Sequence, residues 1–316
     1  MIVTLTPNPS LDRTLEVTEL RRGAVLRATR VLVQPGGKGI NVARALQANG
    51  VRTRAVVPLG GHEGDQLLDT LRAQGLDVVA VTTAGAVRTN VSVVEPDGVV
   101  TKINAPGHPL GRDEVAALTK ATVAAIEGAD WVAGCGSLPP GTADGFYAEL
   151  TRSAHHAGAR VAIDTSGPAL RAALAAGPDL IKPNAEELAQ VTGRAVETLG
   201  DAVQAADELR ELGAGTVVVS FGADGAVLVD AAGTWHATTP PITPRSAVGA
   251  GDALVAGLLA SPRLDADALR RGVAFGTAAA LLPGTQLPGP DDLDLASVAL
   301  HAVDPDRRLR EPGGPR

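Results

Sequence analysis

Short apolar runs alternate with amphipathic stretches along most of the chain. The runs are rich in β-branched residues, which is typical of buried strands, and they lie at 2–5, 55–59, 131–134, 161–163, 180–181 and 217–220. Helical periodicity lies between them, near 40–49, 63–74, 113–127, 144–157, 184–191 and 198–212. Strand and helix in alternation predict a mainly parallel central sheet with helices on both faces.

Two segments depart from this alternation. Residues 14–33 alternate apolar and polar positions without a helical stripe, and residues 90–103 form a hairpin pattern around Pro96-Asp97-Gly98. Neither fits a central parallel strand. We therefore expect a small antiparallel sheet that stands off the main domain, as a lid or a dimer surface.

The chain is predicted to form a single domain over residues 1–303, with lid segments inserted at about 13–33 and 88–104. A hairpin pattern at 225–237 is expected to extend the main sheet. Residues 304–316 are polar and rich in proline and arginine, so we expect a disordered tail there.

Composition narrows the function classes. The 316 residues are 45% hydrophobic and only 2% aromatic, and the formal charge is −7, so neither a basic stripe nor stacking rings favour nucleic-acid binding. A single cysteine, Cys135, rules out a disulfide framework within the chain and indicates a reducing compartment. The first ten residues lack a signal-peptide pattern, and no apolar stretch is long enough to span a membrane. We predict a cytoplasmic protein that is not membrane-bound.

The stretch "SAVGAGDALVAG", residues 246–257, combines a glycine turn with the start of an apolar helix. It is neither a Walker loop nor a full dinucleotide fingerprint, because Leu254 stands where the third glycine belongs. Gly249, Ala250 and Gly251 expose backbone N–H groups that suit a phosphate, and Asp252 follows in the first turn. The alternative is that Asp252 only offsets the helix dipole. A helix N-terminus is also expected to lower the pKa of this carboxylate.

A second glycine turn, "PGGKGINVARAL" at 35–46, also precedes a helix. Gly36, Gly37 and Gly39 are more glycines than a turn requires, which favours close approach by a polyhydroxylated ligand near Lys38 and Asn41. The alternative is an ordinary strand-to-helix connection with a solvated lysine.

Three further places carry polar side chains near predicted strand ends. Asp12 follows the first strand, where open α/β sheets bind ligands, although a turn aspartate has the same pattern. Asn184 and Glu187 lie three apart and suit Mg²⁺, but the same spacing fits a helix cap with its capping box equally well. The turn at 220–229 leads into a hairpin or lines a ligand.

Seven motifs occur in an order that resembles the ribokinase-like (PfkB) family of carbohydrate kinases. They cover residues 1 to about 285 and read "TPNPSLD", "GGKGINVARAL", "GSLPPG", "IDTSG", "KPNAEEL", "SFGADGA" and "VGAGDALVAGLL". The resemblance implies a ribokinase-like three-layer α/β/α sandwich with a β-sheet lid. "NPSLD", "RTNVSV", "INAPG" and "GSLPPG" resemble most the branch of 1-phosphofructokinases and tagatose-6-phosphate kinases.

The resemblance also implies roles for individual residues. Asp252 is then the catalytic base, and Gly249, Ala250 and Gly251 contribute the anion hole for the transferring phosphoryl group. The sugar phosphate is expected to contact Asp12, Arg27, Gly37, Lys38, Asn41, Arg88, Lys102 and Ser137. The ATP side is expected at Lys182, Asn184, Ser220, Gly222 and Gly225, with Mg²⁺ at Asn184 and Glu187 and adenine beside residues 275–280. Many family members also respond to a monovalent cation such as K⁺.

The resulting hypothesis is ATP-dependent phosphorylation of a sugar phosphate, with fructose 1-phosphate converted to fructose 1,6-bisphosphate. Kinases of tagatose 6-phosphate or fructose 6-phosphate are the alternative, followed by free-sugar or nucleoside kinases. An oxidoreductase would need a third glycine and a ribose-binding acid, and a catalytically dead sensor is disfavoured by the intact "GAGD". Lid segments with exposed edges predict a homodimer.

Overall fold

The computed structural model describes residues 1–246 and 248–310, which form two sheets and their covering helices. The strands are β1 Ile2–Leu5, β2 Ser10–Glu16, β3 Arg30–Gly36, β4 Thr53–Leu59, β5 Asp77–Thr82, β6 Arg88–Val94, β7 Val100–Ile103, β8 Trp131–Cys135, β9 Arg160–Asp164, β10 Leu180–Ile181, β11 Thr216–Ser220, β12 Ala226–Asp230, β13 Gly233–Thr238 and β14 Ala299–His301. The helices are α1 Lys38–Ala48, α2 Gly61–Ala73, α3 Arg112–Ile126, α4 Phe146–His156, α5 Gly167–Leu174, α6 Ala185–Thr192, α7 Leu199–Glu211, α8 Ala250–Leu259 and α9 Ala266–Leu281.

The main sheet has ten strands in the order β14-β13-β12-β11-β10-β9-β8-β1-β4-β5. The strands from β11 to β5 pair in parallel, whereas β12, β13 and β14 add antiparallel strands at one edge. The predicted hairpin at 225–237 is β12 and β13, and it extends the sheet as expected. Strand β5, helix α5 and edge strand β14 were not anticipated from the apolar pattern.

Alternating side chains of the buried strands feed two cores on opposite faces of the main sheet. In β1, Val3 and Leu5 enter one core, while Ile2 enters the other, because successive side chains of a strand point to opposite faces. Helices α3 to α7 cover the first face, and α1, α8 and α9 pack against the second. The predicted three-layer α/β/α sandwich is confirmed. Within the described ranges no helix is long and apolar enough to cross a membrane.

A separate four-stranded sheet, called here the lid sheet, has the order β3-β2-β6-β7. Its two outer pairs are antiparallel hairpins, as the sequence predicted. The central pair, β2 with β6, runs parallel, so the sheet is mixed. The sequence pattern locates the pair β2–β3 and the pair β6–β7 separately. It therefore did not predict that β2 and β6 lie side by side in parallel.

The prediction of a disordered tail beginning at residue 304 is wrong for residues 304–310. These residues form backbone hydrogen bonds with the beginning of α7, and Arg307 and Arg310 lie against the buried carboxylate of Asp224. Polarity alone predicted disorder, but the arginines have a partner that is distant in sequence. The predicted tail at 311–316 lies outside the described residues.

Candidate active site

The carboxyl ends of the parallel strands and the beginnings of two helices converge on one cluster of charged side chains. Asp164 ends β9, Lys182 follows β10, and Lys38 begins α1. Asp252 lies in the first turn of α8 on the same side. Parallel strands end at the same edge of a sheet, which is where open α/β proteins bind their ligands.

Asp252 is a buried carboxylate, 8% exposed. Its Oδ2 accepts a hydrogen bond from Asn41 Nδ2 at 2.8 Å. Burial, and then the charge of Asp164, raise the pKa of Asp252 to about 6, although the Asn41 bond and the charges of Lys38 and Lys182 oppose the rise. The pKa is therefore raised and not lowered as the helix N-terminus predicted, because burial and the charge of Asp164 oppose ionisation.

The turn before Asp252 leaves backbone donors available. Gly249 is the N-cap residue with φ +80°, and no side chain caps the helix. The first intrahelical bond runs from Ala253 N to the Gly249 carbonyl, so the N–H groups of residues 250–252 precede the helical ladder. A Cβ at Gly251 would lie 3.6 Å from Lys182 Nζ, which places a buried cation beside these donors.

Asp164 pairs with two lysines and was missed as a candidate from the sequence. Its Oδ1 lies 3.0 Å from Lys38 Nζ and 3.7 Å from Lys182 Nζ, and its side chain is 2% exposed. Burial works against ionisation of Asp164, yet the charges of Lys182 and Lys38 lower its pKa. Burial also opposes the charge of Lys38, but Asp164, Glu187 and Asp252 raise its pKa above the ordinary value. The signal that could have found Asp164 is a carboxylate ending a buried strand in "IDTSG".

The glycines of the "GGKG" turn lie so close to neighbouring protein atoms that a side chain at any of them would collide. Any Cβ at Gly36 would collide with Asp12, at Gly37 with Thr6, and at Gly39 with Thr6 and the backbone of Leu5. Gly37 also has φ +122°. The interpretation that these glycines make room for a ligand is therefore not needed, since close packing of α1 on β1 and of β3 on β2 requires them.

Asn184 and Glu187 form the capping box that the sequence left as one of two alternatives. Asn184 Oδ1 accepts from Glu187 N at 2.7 Å, and Glu187 Oε2 accepts from Asn184 N at 2.9 Å. Glu187 Oε1 lies 3.7 Å from Lys38 Nζ and so faces the site. In the described part of the chain, no three His, Cys, Asp or Glu side chains form a group that could hold a metal ion.

The turn after β11 has the open geometry expected of a ligand-lining turn. Ser220 forms an isolated bridge with Asn184, which brings this turn next to the capping box. Gly222 has φ +57° with no atom within 4 Å of a Cβ position, whereas a Cβ at Gly225 would collide with the Ala237 carbonyl. Gly222 is thus free on one side, and Gly225 is fixed by the hairpin.

Asp12 lies in the lid sheet, not at the end of a main-sheet strand as the sequence predicted. The chain leaves β1 at Leu5 and begins β2 at Ser10. Asp12 Oδ1 accepts from Ser10 Oγ at 2.7 Å and from Asn90 Nδ2 at 2.9 Å. Ser10 and Asn90, both absent from the sequence-based site, therefore orient this carboxylate together.

The cations expected to bind a substrate phosphate do not meet in one place. Arg88 donates to the carbonyls of Ala105 at 2.7 Å and Asn8 at 3.0 Å, and burial lowers its pKa. Lys102 is exposed and pairs in register with Ser92, four residues from Arg88, or about 13 Å along the strand. Arg27 is exposed in the connection between β2 and β3.

Ser137 lies in the "GSLPPG" loop after β8 and is exposed. Its Oγ accepts a hydrogen bond from Asn8 Nδ2 at 3.4 Å, and the same amide donates to the Pro106 carbonyl at 3.0 Å. Asn8 therefore connects the loop after β8 to the segment that leaves the lid sheet.

Comparison with known proteins agrees with this arrangement. Residues 8–292 match the pfkB family carbohydrate kinases. The chain is 42% identical over 300 residues to a 1-phosphofructokinase of Rhodobacter capsulatus, covering 92% of this chain and 94% of the relative. It is 38% identical over 297 residues to ATP-dependent 6-phosphofructokinase isozyme 2 of Escherichia coli K12, covering 92% and 96%. The structure of Escherichia coli phosphofructokinase-2 in complex with potassium superposes with a TM-score of 0.87 at 37% identity, covering 92% and 96%.

Proposed function

The chain belongs to the pfkB family of carbohydrate kinases, and on that premise we propose that it transfers the γ-phosphoryl group of ATP to fructose 1-phosphate. Phosphotransfer from ATP to the hydroxyl group of a sugar phosphate is the activity common to the relatives named above. Fructose 1-phosphate is favoured over fructose 6-phosphate because the more similar of the two relatives is a 1-phosphofructokinase. Phosphorylation of fructose 6-phosphate is the second candidate, supported by the isozyme 2 relative.

The observation that carries the proposal is Asp252, buried at the start of α8 with a pKa of about 6. At neutral pH this carboxylate is mostly ionised, yet it is basic enough to accept a proton from a sugar hydroxyl. The hydroxyl oxygen bonds to the γ-phosphorus, the bond to the β–γ bridging oxygen breaks, and ADP leaves with the electron pair. Asn41 holds the carboxylate in place through its 2.8 Å hydrogen bond.

Fixed cations and backbone N–H donors are available to stabilise the negative charge of the phosphoryl group during transfer. Lys38 and Lys182 lie around the buried Asp164, and the N–H groups of residues 250–252 are free of helical partners. Phosphoryl transfer has a loose transition state, so positioning and charge stabilisation matter more than base strength. We propose that these groups form the anion hole that the sequence predicted for Gly249, Ala250 and Gly251.

We propose Mg²⁺ as the metal, with Glu187 as its protein ligand. Glu187 Oε1 is not used by the capping box and faces the site, and Mg²⁺ in phosphotransferases commonly takes one carboxylate together with waters and substrate phosphates. Asn184 Oδ1 already accepts from Glu187 N, which leaves one lone pair of this oxygen for the ion or for a water bound to it. When bound, the ion neutralises phosphate charge.

The substrate phosphate is proposed to bind at the lid sheet. Arg88 uses two donors for backbone carbonyls, which leaves three of its five N–H groups. Arg88, Asn90 and Lys102 share one face of the lid sheet, because side chains alternate along strands and Lys102 pairs with Ser92. Arg27 is proposed as a third cation at this site only because a long, exposed side chain is mobile enough to reach it.

Three further proposals concern the protein's setting. A lid-mediated homodimer is supported by Val31, Val33 and Ile103, which lie on one face of the lid sheet and are 54%, 38% and 63% exposed. Response to a monovalent cation is supported by the potassium complex of the structural neighbour. Cytoplasmic location is supported by the free, buried Cys135.

The experiment that tests the function is ATP turnover measured as ADP release. Purified protein is given Mg²⁺, ATP and one acceptor at a time: fructose 1-phosphate, fructose 6-phosphate, tagatose 6-phosphate, fructose or a nucleoside. We expect the highest kcat/KM with fructose 1-phosphate. A higher value with fructose 6-phosphate would support the second candidate, and turnover of unphosphorylated acceptors alone would refute both.

A further inference from the structure

Asp224 is a buried carboxylate inside the turn proposed to line the nucleotide. It belongs to the short 3-10 turn Gly222–Asp224 and is 3% exposed. Its Oδ2 accepts from the backbone N–H of Arg310 at 2.8 Å, while Oδ1 lies 3.4 Å from Arg310 Nε and 3.5 Å from a guanidinium nitrogen of Arg307. A carboxylate buried this deeply needs compensating charge, and both cations come from one segment.

That segment, residues 304–310, is called here the C-terminal strap. An isolated antiparallel bridge pairs Arg308 with Thr198. Backbone hydrogen bonds fix the strap to the beginning of α7, from Leu199 N to Arg307 O at 3.0 Å, from Gly200 N to Pro305 O at 3.0 Å, and from Leu309 N to Glu197 O at 2.8 Å. The strap is therefore bound to the beginning of α7 by backbone hydrogen bonds, and its arginines contact Asp224 of the turn.

Backbone hydrogen bonds also hold the turn, and two of them lie within it: Asp224 N donates to the Phe221 carbonyl at 3.2 Å, and Gly225 N donates to the Gly222 carbonyl at 3.1 Å. Phe221 N donates to the Gly225 carbonyl at 2.8 Å, and His236 Nε2 contacts the Asp224 carbonyl at 2.8 Å. Both contacts act on the backbone from the hairpin side. Gly222, at φ +57° with open space around it, has no side chain to hold it. The local backbone of the turn is thus held by its own hydrogen bonds, and the Asp224 side chain is the group that ties the turn to the strap.

We propose that Asp224, Arg307 and Arg310 form a positioning clamp through which the C-terminal strap sets the affinity of the turn 222–225 for the nucleotide. This inference rests on the proposed function in so far as the nucleotide is ATP. Removal of both arginine side chains leaves the buried carboxylate with only the backbone N–H of residue 310 as a partner in the strap, and Asp224 relieves the lost charge compensation by rotating toward solvent. That rotation releases the turn from the strap and moves Gly222, on its open side, from the position that binds the nucleotide, so the preorganisation of the turn is lost.

The test uses the full-length chain with Arg307→Ala and Arg310→Ala combined. Arg308→Ala is the matched control, because Arg308 is an exposed arginine of the same strap that forms no ion pair within the described residues. Calorimetric titration with ADP is expected to show about 10-fold weaker binding by the double variant, with KM for ATP rising in parallel. The KM for the sugar phosphate and the control variant should match the wild type within about 2-fold.

Asp224→Asn is the second variant, in case loss of both arginines prevents folding. Asparagine can still accept from Arg310 N but carries no charge, so a smaller loss of ADP affinity is expected. Unchanged ADP affinity in variants that only melt at lower temperature would overturn the inference, as would equal rises in the KM for ATP and for the sugar phosphate. A wild type that binds ADP but phosphorylates no sugar phosphate would refute the proposed function while leaving the ADP comparison valid.

Discussion

Replacing Asp252 with asparagine should abolish activity and at the same time stabilise the protein. Asparagine keeps an oxygen that can accept from Asn41 but cannot take a proton, so kcat is expected to fall at least about 10³-fold while ATP binding stays near normal. The ionised carboxylate, in contrast, is unfavourable in its buried site. The rise of its pKa from 3.8 to about 6 corresponds to about 3 kcal/mol.

The sign of the pH dependence follows from that rise. A carboxyl group whose pKa is higher in the folded state contributes stability below its unfolded pKa, and this contribution is lost as pH rises from about 4 to about 6. At pH 7 the wild type has lost this stabilising contribution, whereas Asp252→Asn, whose side chain does not ionise, has not. The variant is therefore expected to gain up to about 3 kcal/mol in the free energy of unfolding at pH 7 relative to wild type, and little at pH 4.

Urea unfolding at pH 4, 5, 6 and 7 measures the stability difference, and ADP release measures the rate. Asp267→Asn is the control, since Asp267 is an 82% exposed aspartate in the first turn of α9 and should change neither the rate nor the pH profile. The wild-type kcat/KM should fall about 10-fold between pH 7 and pH 5, as Asp252 becomes protonated. Retention of a tenth of the activity would mean that Asp252 only offsets the dipole of α8, and lower stability at pH 7 would refute the burial argument.

Three further predictions concern the metal, the substrate phosphate and the lid. Glu187→Gln should raise the Mg²⁺ concentration for half-maximal rate; if Glu187 only caps α6, a Mg²⁺ titration will be unchanged and the variant will lose up to about 1 kcal/mol of stability. Arg88→Ala should raise KM for the sugar phosphate about 10- to 100-fold with KM for ATP unchanged, and an intact preference over fructose would refute the phosphate site proposed at the lid sheet. Val33→Glu should convert a dimer to a monomer in light scattering, with Val25→Glu in the exposed loop as control; a monomeric wild type at micromolar concentration would refute the lid dimer.

The sequence by itself determined the layered architecture and singled out Asp252. Buried parallel strands are continuous apolar runs, so β1, β8, β9 and β11 could be located without knowledge of their neighbours. Asp252 and its turn were visible because glycines before an apolar helix have a local physical meaning. The lid was visible as two segments, since alternation with period two is also a local property.

Tertiary structure alone decided how these residues act on one another. Asn41 and Asp252 are 211 positions apart, yet a 2.8 Å hydrogen bond joins them, and burial together with the distant Asp164 raises the pKa of Asp252. Asp164 became a site residue only when two lysines from distant elements closed around it. Residues 304–310 are likewise ordered by a contact that the sequence did not reveal. The carboxylate that pairs with Arg307 and Arg310 lies about eighty residues earlier in the chain. Desolvation and charge pairing depend on distances in space, and those distances exist only after the chain has folded.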